Sequence, residues 1–276
     1  MKKGKKIADV VIFLLLIFIA IVILYPFVWM VLTSFKPKMH VYLGGLLPQV
    51  WDFSSYLQIW NEIPMVRGFL NTSLYSVPPV LIGTLVSGAA AFAFAKVRFK
   101  GRDTLFLILL IGLMIPFPAI MVPQFVLFSE ANLLNGPWTM ILPKLFGNIS
   151  MVFFVRQIIS SWPDSLTDAA KIDGCNYWQM YWKIVLPNIR YALYAHGVLW
   201  FIAAWNDYLG PTLFIQSPIW EPVTVMIAKY NAQYEINNHI PRIMAGSVLL
   251  ITPVLIIYGI FQKYIVESFV FSGIKG

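Results

Sequence analysis

Apolar positions in this chain come in long uncharged blocks, with polar residues gathered between them. The block from Val10 to Leu32 holds 23 residues without a charge. At about 1.5 Å per residue it is long enough to cross a hydrocarbon layer of about 30 Å as a helix. Comparable blocks lie between Arg67 and Lys96, between Asp103 and Glu130, over about 137–161, over about 188–208, and between Arg242 and Lys263. The pattern predicts six transmembrane helices, the first over about 8–33. Lys144 and Arg156 interrupt the fourth block. Long basic side chains near helix ends reach the headgroups by snorkelling, so the block still reads as a span.

Punctuation refines this outline. Lys2, Lys3, Lys5 and Lys6 precede the first block, as in a signal peptide, but no small-residue cleavage site follows it. The first block therefore reads as a retained helix. Met114-Ile115-Pro116-Phe117-Pro118 sits inside the third block, and Pro123 follows. A helix does not run straight through these prolines, because each removes a donor and clashes with the preceding turn. Two readings fit: a broken span supported by protein or a water-filled cavity, or a span ending near Ile115 with 116–136 as an outer loop. Gly83, Ser87, Gly88, Ala89, Ala90 and Ala91 give the second block a small-residue face suited to close helix contact.

Composition supports a polytopic, all-α membrane protein. Of the 276 residues, 59% are hydrophobic and 12% charged, whereas a soluble domain carries about 25% charged residues. The net charge of +8 is then a matter of topology, with no nucleic-acid partner expected. With both termini inside, fourteen of the twenty basic residues fall on inner segments; the other six are Lys36, Lys38, Arg67, Lys144, Lys229 and Arg242. This bias places both termini, and the loop 162–187, in the cytoplasm. Cys175 is the single cysteine, and His40, His196 and His239 are too scattered for a metal site. No residue pattern suggests catalysis, and no metal is expected. His196 reads as a satisfied interior histidine.

The loop 162–187 is dense in helix signals. Trp162-Pro163-Asp164-Ser165 reads as a helix start, with Asp164 or Ser165 as the cap. Leu166, Ala169, Ala170 and Asp173 share one helical face, and the two alanines keep that face thin enough for a partner to approach. Gly174 stands where a left-handed residue ends a helix. Asn176 and Gln179 have capping-box spacing. Trp178, Tyr181, Trp182 and Val185 line one side of the second helix, as interfacial aromatics do, and Pro187 bends the chain into the fifth span. Read physically, the loop is two short helices about a glycine turn. It is either an amphipathic pair on the lipid surface or a contact for another protein.

Asp168-Ala169-Ala170, three residues, Gly174, nine residues, Ile184, one residue, then Leu186-Pro187 resembles the signature of the membrane subunits of binding-protein-dependent ABC importers. Asp168 stands where that family has glutamate. Further matches run along nearly the whole chain: Leu24-Tyr25-Pro26-Phe27, Thr33-Ser34-Phe35-Lys36-Pro37, Tyr56, Trp60, Phe69 and Asn71, Lys96 through Arg102, Trp205-Asn206-Asp207, and Gly273-Ile274-Lys275-Gly276. These are similar to the smaller permease of maltose-type carbohydrate importers. The resemblance implies a type I ABC importer transmembrane fold in a bacterial cytoplasmic (inner) membrane. It implies an N-terminal helix and outer connection over 1–66, a transmembrane domain over 67–266 and a short tail over 267–276. Asp168, Ala169, Ala170, Asp173 and Gly174 would dock on a cytoplasmic ATPase. A bulky charged residue at Gly174 or Ala170 would abolish transport and leave membrane insertion intact. The implied partners are a second, unlike permease, two ATPase subunits and an external solute-binding protein, besides membrane lipid. The sequence holds no GxxxxGK[ST] phosphate loop, so ATP and Mg are expected on the ATPase, with no cofactor in this chain.

Cargo contacts are less marked. Trp205, Asn206 and Asp207 combine an aromatic face with hydroxyl-binding groups at the outer end of the fifth span. Asn206 is the stronger candidate, and Asp207 reads more simply as a helix cap. The outer region 216–242, with Trp220, Tyr230, Asn231, Gln233, Tyr234, Asn237 and Asn238, is either a surface for an external partner or a solvated loop. An oligosaccharide is the expected cargo, with a glycerol phosphodiester as the alternative. A stand-alone secondary transporter would need intramembrane ionisable groups that the spans scarcely hold. An intramembrane enzyme has no supporting motif.

Overall fold

The computed structural model describes the backbone of residues 2–233 and 236–273 and the side chains of 9–233 and 239–265. Among these residues every regular element is helical. Four stretches are long and apolar enough to span a membrane: Asp9–Ser34, Met65–Lys96, Trp138–Ser160 and His239–Ile265. The pair Arg102–Leu113 and Phe117–Glu130 adds a fifth if counted as one. A 20-residue helix, Leu186–Trp205, fills the remaining expected interval. Asn188, Arg190 and His196 keep it less apolar than the others.

The chain divides into two compact units. The first comprises Met1–Met65 and Met226–Thr252. Its helix α1 (Lys2–Ser34) is exposed along its apolar length, which suits lipid or another subunit. After α1 the chain folds back: the Asp52 amide donates to the Phe35 carbonyl (2.8 Å), and Ser34 Oγ and Tyr56 Oη lie 2.7 Å apart. Helix α2 (Ser54–Glu62) buries Ile59. Its last residue, Glu62, accepts hydrogen bonds from both Tyr230 and Arg242, the latter at 2.7 Å. Burial, and after it the hydrogen bond to Glu62, holds the Tyr230 hydroxyl above its usual range.

The second unit comprises Val66–Val225 and Pro253–Gly276. Helix α3 (Met65–Lys96) carries polar residues inside an apolar span. Thr72, Ser76 and Ser87 turn their hydroxyls onto carbonyls four residues back, at 2.8, 2.7 and 2.6 Å, which satisfies them without water. The small-residue face does permit close contact. A Cβ on Gly83 would come within 2.2 Å of the Lys144 carbonyl oxygen, and one on Gly88 within 2.8 Å of Tyr181 Oη.

At the prolines of the third block the helix breaks, as both readings require. Helix α4 (Arg102–Leu113) stops, Pro116 takes an extended conformation, and α5 (Phe117–Glu130) leaves at 103°. The segment 116–136 is thus no plain loop: most of it is helix. The fourth block is also divided, into α6 (Trp138–Leu145) and α7 (Ile149–Ser160). Gly147 turns the chain at φ +100°, and Asn148 caps α7. Both basic residues of this block find partners in the protein. Lys144 Nζ donates to the Met140 carbonyl (3.0 Å), while Arg156 donates to that of Phe94 and lies 4.0 Å over the Phe106 ring. Both cations are held by protein.

Beyond the loop come α8 (Ser165–Ile172), α9 (Tyr177–Met180), a π-helical turn over Tyr181–Val185, and α10 (Leu186–Trp205). The helix does not break at Pro187. The chain is helical without a break from Tyr177 to Trp205, because the π turn immediately before Pro187 gives room for its ring and missing donor. Short α11 (Leu209–Phe214), α12 (Val223–Gln233) and long α13 (Ile236–Gly273), kinked at His239, complete the chain. Much of the described part of 216–242, the region expected outside, is therefore neither a solvated loop nor open to a partner. Glu221, Thr224 and Tyr230 are buried along with Val223 and Val225. Tyr234 and the side chains of Asn237 and Asn238 lie outside the described residues.

Candidate functional site

The loop 162–187 stands on a firm base. Lys96, the last residue of α3, sends Nζ to the Trp162 carbonyl (2.7 Å) and to Asp164 Oδ1 (2.6 Å). The Lys96 side chain is buried and that of Asp164 exposed. Hydrogen bonding and charge from Lys96 hold the Asp164 carboxyl below its usual range. Asp164 consequently makes no side-chain cap on α8. The expected cap is diverted because a lysine outcompetes a backbone amide for the carboxylate.

Helix α8 ends in a Schellman turn. The Cys175 amide donates to the Ala170 carbonyl (2.9 Å) and the Gly174 amide to that of Lys171 (3.0 Å), with Gly174 left-handed at φ +79°. Nothing lies within 4 Å of a Cβ built on Gly174, so glycine is needed here for its backbone and not for space. The capping box then forms as the sequence predicts: Gln179 N donates to Asn176 Oδ1 (2.8 Å) and Asn176 N to Gln179 Oε1 (3.0 Å).

Of the five docking candidates, Asp168, Ala169, Asp173 and Gly174 are exposed. Ala170 is not. It is 4% exposed, packed into the apolar cluster of Phe92, Ile159, Met180 and Val185. Ala170 holds α8 down, so a bulky residue there would unseat the helix before it could report on docking. The aromatic face likewise divides. Tyr181 and Val185 are buried, Tyr181 donating to the Leu85 carbonyl (2.7 Å), while Trp178 and Trp182 stay exposed against each other at 5.6 Å. Residues 178 and 182 form one helical row and 181 and 185 the next, so one row faces protein and the other does not.

One residue escapes the apolar periodicity of α8. Ile172, the last residue of the helix, is 86% exposed, between Lys171 and Asp173 and two residues before the glycine turn. An isoleucine among charged residues at a helix end was the available signal.

The outer cluster is arranged differently. Trp205 is buried, its ring 6.2 Å from Phe69 and 5.5 Å from Phe201. Asn206 is exposed but donates back to the Ile202 carbonyl (2.9 Å). Asp207 accepts from the Gly210 amide (3.1 Å) and so caps α11, and its carbonyl accepts from Thr224 Oγ1 (3.1 Å). Lys144 is near enough for the charge of Asp207 to act on it. His196 packs edge-on against Phe154 at 4.8 Å. Among the described residues no three His, Cys, Asp or Glu side chains converge as metal ligands.

Comparison with known proteins now bears on this architecture. Residues 83–270 match the family described as the binding-protein-dependent transport system inner membrane component. The chain belongs to that family. The matched segment runs from Gly83 in α3 through the loop into α13. Over 264 residues the chain is 32% identical to the arabinooligosaccharides transport system permease protein AraQ of Halalkalibacterium halodurans, covering 94% of each. It is 29% identical to the lactose transport system permease protein LacG of Rhizobium radiobacter, covering 96% of each. A solved structure of a bacterial ABC transporter involved in import of the acidic polysaccharide alginate contains a similar chain. The TM-score is 0.83 at 26% identity, covering 95% of this chain and 97% of that one. The protein is thus a multi-pass permease component of an ABC importer.

Proposed function

We propose that this permease forms half of the translocation path of an ATP-driven oligosaccharide importer in a bacterial cytoplasmic membrane, with six spans and both termini inside. A second, unlike permease would form the other half. Two ATPase subunits would carry ATP and Mg, and an external binding protein would deliver the sugar. A carbohydrate cargo is supported by the sugar-permease names of relatives that match almost end to end.

The observation that carries the coupling role is the shape of α8. Its inner side is anchored by Ala170 and by Lys96 through the preceding turn. Its outer side offers Ile172 with Asp168, Ala169, Asp173 and Gly174. An exposed apolar side chain on a rigid helix is what a partner's pocket can grip, and the flanking carboxylates suit cations at the pocket rim. Closure of the ATPases would push α8, and the apolar cluster beneath Ala170 would pass the push to α7 and α10. Nucleotide then biases two states of the path through differential contact with α8.

The experiment is to assemble the four-component complex with its binding protein and measure ATP turnover across a panel of oligosaccharides. Stimulation by one class of sugar supports the reading. Stimulation by glycerol phosphodiesters and not by sugars overturns the cargo. Full turnover after Ile172→Glu overturns the docking surface.

A further inference from the structure

The basic residues at the α3–α4 connection are not all used within the chain. Lys96 is committed to Trp162 and Asp164, and Arg102 Nε donates to Asp103 (3.1 Å). Arg98 and Lys100 are exposed and make no side-chain hydrogen bond or ion pair among the described residues. Arg98 and Arg102 face a polar cleft of about 470 Å³, walled on the other side by α8. Lys96 and Lys171 line it as well, against Asp164 and Asp168. With Lys96 on Asp164, Lys171 on Asp168 and Arg102 on Asp103, the four cations of the cleft leave one, Arg98, to spare. A second cavity, of about 410 Å³, shares Arg98 and Arg102 and extends along the start of α4.

An apolar row of α4 begins beside the cleft. The cleft opens where α3 ends and α4 begins, at the boundary between charged loop and membrane span. One turn into α4 an exposed row starts: Leu105, Ile108 and Ile111 at three-residue spacing, flanked by Leu107, each 49–57% exposed. A cationic cleft beside an apolar ridge fits a molecule with an anionic head and hydrocarbon chains. A soluble anion would use the cleft and leave the ridge uncovered.

We propose that this cleft binds the phosphodiester headgroup of an anionic phospholipid, with its acyl chains along α4, and that the bound lipid braces α8 against the α3–α4 connection. The bracing part rests on the docking role assigned to α8. Lys171 is the link. It lies on α8, paired with Asp168 at 3.3 Å, and a phosphate shared with Arg98 and Arg102 would tie the helix to the loop by charge-assisted hydrogen bonds.

The test uses the complete transporter. Wild type and the double variant Arg98→Gln/Arg102→Gln are placed in nanodiscs of phosphatidylcholine alone or with one-third phosphatidylglycerol. Native mass spectrometry reads retained lipid, and binding-protein-stimulated ATP turnover is measured in parallel. Wild type is expected to retain phosphatidylglycerol and to turn over several-fold faster in its presence. At about a fivefold contribution per basic side chain, the double variant is expected to bind that lipid about twenty-fivefold more weakly and to lose the lipid-dependent rise. Undiminished phosphatidylglycerol binding by the variant overturns the site. Equal stimulation of wild type by soluble glycerol phosphate in phosphatidylcholine marks a free-anion site and overturns the lipid. Loss of ATPase subunits from the variant in phosphatidylcholine marks a protein contact and also overturns it. Lipid retention that depends on Arg98 and Arg102, in a transporter where Ile172→Glu leaves coupling intact, would keep the lipid site and remove only its bracing role.

Discussion

The loop at 162–187 and the cluster at 205–207 both looked like places to touch something, yet they treat their side chains in opposite ways. In the loop, capping and burial are handled by Lys96, Ala170, Gly174 and Asn176, which leaves Ile172, Asp168 and Asp173 facing outward. In the outer cluster the candidate residues do the structural work themselves. Trp205 fills core, Asn206 bonds its own helix and Asp207 caps the next one. A contact surface is recognised by functional groups left over once local structure is satisfied, more than by the residue types it contains.

Substitutions can break that contrast. The largest effect is expected from Trp205→Ala, which should lower stability by about 3 kcal/mol or more as a core deletion. Thermal unfolding of the purified complex checks it; a change in sugar selectivity at unchanged stability would return Trp205 to the cargo path. Next comes Ile172→Glu, expected to cut binding-protein-stimulated ATP turnover about tenfold or more, the loss of one hot-spot contact. Co-purification of the ATPase provides the second readout, with the permease inserting normally. Gly174→Ala should be milder, at about 1 kcal/mol, because only left-handed backbone strain is added. It should slow turnover severalfold, whereas a positive-φ-tolerant Gly174→Asn should recover part of the loss. Asn206→Ala should alter transport less than twofold, since one exposed hydrogen bond to its own helix is worth about 0.5 kcal/mol at most; a tenfold change in sugar KM would overturn the contrast at that residue.

The smallest effect concerns pH. The folded-state pKa of Asp164 is lowered, so its pair with Lys96 contributes above the unfolded carboxyl value of about 3.9 and is lost as pH falls through the lower folded value. Wild type and Asp164→Asn should therefore differ in melting temperature by a constant amount between pH 7 and pH 5. The two should converge only in stronger acid. A difference that vanishes by pH 5 would remove Lys96–Asp164 from the base of the loop.

Some of the site was legible in the chain and some was not, for identifiable reasons. Gly174 and the Asn176–Gln179 box were readable because turns and caps are made by neighbours in sequence. The exposure of Ile172 and burial of Ala170 were not, since period alone does not say which flank of an eight-residue helix meets the protein. The cap assigned to Asp164 failed because its competitor, Lys96, stands 68 residues away. The partner of Arg156 was not legible because the ring that receives it, Phe106, belongs to another helix.

By itself the sequence determined the all-helical membrane character, the long apolar intervals and the helix–glycine–helix form of the loop. Each depends on runs of apolar residues or on hydrogen bonds that close within a few positions. Only the tertiary structure decided the 103° turn at Pro116, the unbroken path through Pro187, and the division between what is buried and what is offered. Those depend on close approach between distant segments, such as Gly83 against Lys144 or Lys96 against Trp162, and packing at that range leaves no periodic trace in the chain.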